Sequence, residues 1–231
     1  MTTILALDTS SDACSVALWR DGQITEKFEL AAQSHTQRAL PMIDELLTEE
    51  ALSLSQLDAL AIGAGPGSFT GLRIGLGVIQ GLAFAADLPV VAVSTLEAMA
   101  WQQVSRNTGD IVLMPALDAR MGEVYWALYR YCQASDSLEV LVEPSVCPPE
   151  RVGDALPDGL SGLVGVGSGW AIETMAALAP EPQVDCYPRA GALVALAARD
   201  FDAGRGQSVD HVQPNYVRDT VSWKKRERIR Q

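Results

Sequence analysis

The chain has 231 residues, 48% of them hydrophobic and 20% charged, and carries a net charge of −12. That is the composition of an ordinary soluble globular protein, long enough for one large domain or two small lobes with their own cores. No apolar run reaches the roughly 18–20 residues that span a bilayer, and no positive segment followed by an apolar stretch opens the chain, which argues against a signal peptide.

Ile4–Asp8 reads as an apolar strand. A Ser/Asp turn leads to a second strand, Cys14–Trp19, and Asp21-Gly22 signals a hairpin into a third, Gln23–Leu30. A helix is expected from about Thr36 to Ala51, with Leu40, Ile43, Leu46 and Leu47 as its apolar stripe and Pro41 either kinking it or marking its first turn. The strand Leu57–Ile62 then enters a 19-residue window, Gly63–Gly81, that holds seven of the 19 glycines. Gly63–Gly67, with Pro66, reads as a tight loop, and from Thr70 the window reads as a helix. Gly71 and Gly75 share one face of that helix, and Gly77 and Gly81 share another, each pair at i, i+4. Glycine is costly in regular structure, so the cluster implies that a phosphate or another helix comes close. A short strand, Pro89–Val93, and a helix from about Thr95 to Val104 complete the order βββαβαβα.

The pattern then restarts. At an offset of 110 residues, Ala6-Leu7-Asp8 falls on Ala116-Leu117-Asp118, Ala17-Leu18 on Ala127-Leu128, and Arg20 on Arg130. Each copy is an apolar strand ending in Asp, a short turn and a second strand, which favours duplication. Leu138–Val142 and Gly162–Val166 supply further strands, and Ala171–Leu178 and Gly191–Ala203 further helices. The expected organisation is an N-terminal lobe over 1–108, a more degenerate C-terminal lobe over 109–212, and a terminal segment, 213–231, returning to the first. That segment is basic from residue 218 on: Arg218, Lys224, Lys225, Arg226, Arg228 and Arg230 stand against Asp219 and Glu227. Residues 1–217 keep 11 of the 17 basic and 27 of the 29 acidic side chains, a charge of −16. Such a body repels a phosphate backbone. The tail reads as a solvated end, with nucleic acid or an acidic partner as the alternative. Cys14, Cys132, Cys147 and Cys186 form no C-x-x-C pair or zinc spacing and read as buried, reduced thiols of a cytosolic protein.

Two lobes that each begin strand-Asp-turn-strand resemble the actin/Hsp70/sugar-kinase (ASKHA) superfamily. That resemblance implies that the two turns face each other across a cleft and hold nucleotide phosphates, with Asp8 and Asp118 near a metal; capping of their own turns is the plainer role. The first turn, Thr9-Ser10-Ser11, lacks the glycine that lets a backbone approach a phosphate. The glycine window has Thr70 where a G-x-G-x-x-G needs its third glycine, and no Gly-Lys-Ser/Thr follows. Val164–Gly169 is either an adenosine-side loop or a helix-start loop. Arg120 and Glu123 are expected to pair across the second turn.

GPGSFTGLRIGLG (65–77), DTS (8–10), HTQ (35–37) and DARMGEVYWALY (118–129) resemble the bacterial TsaB family, also called YeaZ. The resemblance implies a part in making threonylcarbamoyladenosine, the modified base beside the anticodon of tRNAs reading codons that begin with A, together with TsaD, the transferase subunit, and the ATPase TsaE. Where TsaD-like proteins carry two metal-binding histidines, this chain has Thr95 and Met99, and its only histidines, His35 and His211, are too far apart in the chain to replace them. The resemblance therefore implies a non-catalytic subunit with no catalytic residue, no metal and no cofactor of its own, a nucleotide at the partner interface being left open. The expected interface, as a helical bundle with TsaD or as a homodimer, is His35, Leu40, Ile43 and Leu47 with Gly71, Ile74, Gly75, Val78 and Leu82. An independent small ATPase or kinase is the alternative.

Overall fold

The computed structural model describes residues 2–218; the tail cations from Lys224 on lie outside the described residues. The strands are β1 (Thr3–Asp8), β2 (Ala13–Arg20), β3 (Gln23–Leu30), β4 (Ala59–Gly63), β5 (Val90–Val93), β6 (Ile111–Arg120), β7 (Glu123–Cys132), β8 (Ser137–Cys147) and β9 (Leu163–Val166). The helices are α1 (His35–Glu49), α2 (Phe69–Ala86), α3 (Thr95–Val104), α4 (Glu173–Ala176) and α5 (Ala190–Asp202). They build a mixed α/β fold on two sheets, ordered β3-β2-β1-β4-β5 and β8-β7-β6-β9. The two share a plan: an antiparallel meander, then a parallel strand beside its first member.

In the first sheet β1, antiparallel to β2 and parallel to β4, is buried on both faces, because helices cover the sheet on each side. Leu5 and Leu7 meet Met42, Ile43 and Leu46 of α1 and Ile79 and Ala83 of α2. Ile4 and Ala6 point the other way, to Leu193, Val194 and Ala197 of α5. In the second sheet Met114, Trp126 and Leu128 pack on Trp170 and Met175, while Leu113, Leu117 and Tyr129 pack on Leu96 and Met99 of α3. Helix α3 also gives Ala98 to the first sheet's core, so it lies between the two sheets.

Several elements differ from expectation. Residues 190–202, counted with the second half in the chain, pack on the first sheet. The reason is local: Glu26 of β3 accepts the Gly191 N–H (2.8 Å), and Ser15 of β2 accepts the Ala190 N–H (3.0 Å), so the first sheet caps α5's positive end. The helix expected over Ala171–Leu178 is a 3-10 turn, Ser168–Ala171, followed by the single turn α4. Trp170 Nε1 pins that turn by donating to the Met114 carbonyl (3.0 Å). Pro41 lies inside a continuous α1. Helix α2 is 18 residues long and apolar enough by composition to cross a bilayer, although Arg73 and Gln80 break its apolar run. It packs on the first sheet through Leu72, Ile79 and Ala83. Of the free cysteines only Cys14 is fully buried, its thiol pushed up to about 12 mainly by desolvation.

Candidate functional site

The β1–β2 turn and the start of α2 are built into one another. The Asp8 carboxyl is 1% exposed, and its Oδ1 accepts the Ser10 N–H (3.0 Å) and hydroxyl (2.8 Å). Thr9 Oγ1 donates to the Gly71 carbonyl (2.8 Å), and the Ser10 carbonyl accepts the Ser68 N–H (2.7 Å). The glycines make this contact possible. A Cβ on Gly71 or Gly67 would lie closer than 3.0 Å to the carbonyl oxygen of Thr9 or Ser10, and one on Gly75 would overlap Thr9 Oγ1. A Cβ on Gly63 would overlap Asp8 Oδ2. Four of the window's glycines therefore seat the chain's own turn.

Asp8 Oδ2 is buried without a hydrogen-bond partner. Burial raises the carboxyl above the ordinary aspartate value, against the lowering effect of the Ser10 bonds and His35. A group raised in the folded state adds stability at acid pH and loses it as pH rises through its folded value. Asp8→Asn is accordingly expected to leave the fold intact and to gain on the wild type as pH rises above the ordinary aspartate range. Urea midpoints for the two chains from acid to neutral pH check it; a gap that does not widen, or widens the other way, overturns the raised carboxyl at Asp8.

Asp118 sits differently. Its side chain is 37% exposed, its Oδ1 accepts the Arg120 N–H (2.8 Å), and Arg120 Nη1 reaches Oδ2 (3.1 Å). Arg120 therefore pairs with Asp118 rather than with Glu123, because its positive φ of 61° curls the turn back; Glu123 pairs with Arg218. Between the two turns lies a cleft of about 440 Å³, lined among others by Ser11, Ser68, Asp118, Arg120, Tyr187 and Arg218. Asp8 does not line it. The Val164–Gly169 glycines are packed from within as well: Cβ atoms on Gly165 and Gly167 would overlap the Trp170 ring and the Ala116 carbonyl. Thr95 Oγ1 accepts the Gly65 N–H (3.2 Å), and Met99 is core.

The expected interface residues divide. Gly71 and Gly75 face the chain's own turn, which removes them from a docking surface. His35 faces inward too, 7% exposed, with Nε2 3.2 Å from the Ala13 carbonyl oxygen. Ile43 and Leu47 are core, and Val78 and Leu82 are half-buried against it. Ile74 is half-buried and Leu40 is 50% exposed. The open face of α2 is the second glycine pair: a Cβ on Gly77 or Gly81 would meet nothing within 4 Å. Phe84, one turn beyond Gly81, is 84% exposed. Gly77 and Gly81 share this face at i, i+4 and Phe84 extends it at i+3, but the spacing alone does not separate this pair from Gly71 and Gly75.

The model of the family described as TsaD, tRNA N6-adenosine threonylcarbamoyltransferase, matches residues 27–185. The tRNA threonylcarbamoyladenosine biosynthesis protein TsaB of Escherichia coli is 42% identical over 231 aligned residues, 96% of this chain and 97% of that protein. The protein of the same name from Haemophilus influenzae is 42% identical over 230, covering 96% of each. The solved structure of YeaZ from Pseudomonas aeruginosa superposes with a TM-score of 0.84 at 40% identity, over 94% of this chain and all of that one. With near-full-length identity and the same fold, the chain belongs to the TsaB (YeaZ) family.

Proposed function

We propose that this chain is a non-catalytic scaffold or activating subunit in tRNA threonylcarbamoyladenosine synthesis. In this reading TsaD transfers the threonylcarbamoyl group from threonylcarbamoyl-AMP to the adenosine N6, this chain docks directly on TsaD, TsaE joins the pair, and the complex works on tRNA in the cytoplasm. The division of α2 carries the reading. Its inward glycines are taken up in seating the chain's own first turn, and its outward glycines leave a smooth helix face that another helix can approach closely. The shared strand plan of the two sheets supports a duplicated ASKHA-like fold with a degenerate second half. The same face serves a homodimer when TsaD is absent.

Reconstitution tests the proposal. Mixing this chain with TsaD, TsaE, tRNA and threonylcarbamoyl-AMP, and omitting each in turn, is expected to show modification that needs TsaD and is strongly reduced without this chain. Modification by this chain alone would overturn it. Saturable Mg–ATP binding and turnover by the isolated chain would favour the alternative, an independent small ATPase or kinase.

A further inference from the structure

The two sheets are tied at both ends of the second one. After α5 the chain returns along the first sheet: Gln207 bridges Val90 in both directions (2.9 and 3.0 Å), Val212 enters the first core, and the Asn215 N–H donates to the Ala64 carbonyl (2.6 Å). Tyr216 then stacks on Phe69 of α2 (centroids 5.6 Å apart) and accepts from Arg73 Nε (3.3 Å). Arg218 next crosses to the second half. It donates to the Ala119 carbonyl (3.3 Å), pairs with Glu123 and lies over the Tyr125 ring, its side chain only 17% exposed. At the other end of β6 and β7, Arg199 of α5 pairs with Asp136 in the β7–β8 turn and stacks over Trp101 of α3 (4.2 Å). Tyr131 holds Asp136 from behind, donating to Oδ1 (2.8 Å).

We propose that residues 207–218 act as a strap that locks the angle between the two halves, with Arg218 as its fastener and Arg199–Asp136 as the counter-latch. The leverage is geometric. Turns at opposite ends of a ten-residue strand are about 30 Å apart. A rotation of about 10° about the midpoint moves each end by about 2.6 Å, which is enough to break a hydrogen bond of ordinary length. One tie would leave the halves free to pivot about α3, whereas two ties at opposite ends do not. The chain is thus a fixed bracket, and the strap, through Tyr216 on Phe69 and Arg73, sets the start of α2 against the second sheet. Hinged clefts that close on a ligand need the opposite property.

Amide hydrogen exchange on the full chain tests this. In Arg218→Ala the amides of the 119–125 turn and of the strap from 212 on are expected to exchange at least tenfold faster, while those of β1 and β4 keep their protection, so that opening is separated from unfolding. Arg218→Lys, which keeps the charge but loses the flat guanidinium over Tyr125 and the Nη1 contact with Met121, is expected to lie between. Arg218→Ala with Arg199→Ala is expected to exceed the sum of the two and to enlarge the radius of gyration in solution scattering. Unchanged exchange at 119–125 in Arg218→Ala, strictly additive effects in the double variant, or a loss of β1 protection equal to that of the strap would each overturn the fastener assignment.

Discussion

Gly71→Ala is expected to cost about 3 kcal/mol or more of folding stability. The added methyl points at the Thr9 carbonyl oxygen, and neither group can rotate away, since both belong to backbone. Shifting the turn means giving up the Thr9–Gly71 and Ser68–Ser10 hydrogen bonds, each worth about 1 kcal/mol, and moving Asp8 from a site with almost no free space. Gly75→Ala meets Thr9 Oγ1 and, at 3.0 Å, Ile62 Cδ1. Those side-chain ends can give, so the expected cost falls to about 1–3 kcal/mol. Gly77→Ala reverses the sign. The site is open and lies mid-helix, so alanine should add up to about 1 kcal/mol by reducing the freedom of the unfolded chain. Urea unfolding of the three variants gives the ranking. If Gly71→Ala and Gly77→Ala shift the midpoint in the same direction, the division of α2 into two faces is wrong.

That division also marks where sequence reading stops. The first half was legible: the order βββαβαβα is observed, α3 has the expected bounds, and Asp21-Gly22 forms the hairpin with positive φ at both residues (49° and 89°). These features come from neighbours in the chain, which is where periodicity and turn chemistry act. The roles of the glycine pairs were not legible. Gly71/Gly75 and Gly77/Gly81 have the same spacing and differ only in which pair lies over Thr9, a contact between residues 62 apart in the chain. His35 was misplaced for the same reason, its partner being a backbone carbonyl of β2. Asp8 and Asp118 match in the repeat yet differ in setting, one sealed by α2 and the other open to the cleft. Residues 190–202 follow the second sheet in the chain and pack on the first, because their capping groups, Ser15 and Glu26, belong to β2 and β3.

Gly81→Leu and Phe84→Asp are expected to disable docking on TsaD without disturbing the fold. Phe84 is 84% exposed and a side chain on Gly81 meets open space, so Phe84→Asp should alter the monomer's stability by no more than about 0.5 kcal/mol, and Gly81→Leu should raise it by up to about 1 kcal/mol, as at Gly77. The effect on association should be far larger. A leucine at 81 holds off a helix that relies on the bare backbone for close contact. Aspartate at 84 removes a large exposed aromatic from the patch and leaves a charge to be desolvated. A loss of about 2 kcal/mol or more, the size of a hot-spot residue, weakens binding about 30-fold, and threonylcarbamoylation in the reconstituted mixture should fall with it at limiting subunit concentration. Leu40→Asp, on the exposed side of α1, should act in the same direction if both helices join the contact. Size exclusion with TsaD, beside thermal unfolding of the isolated variants, separates the outcomes. Loss of co-elution with no fall in melting temperature supports the Gly77–Gly81–Phe84 face. Co-elution that survives both Gly81→Leu and Phe84→Asp moves the docking surface off α2 altogether.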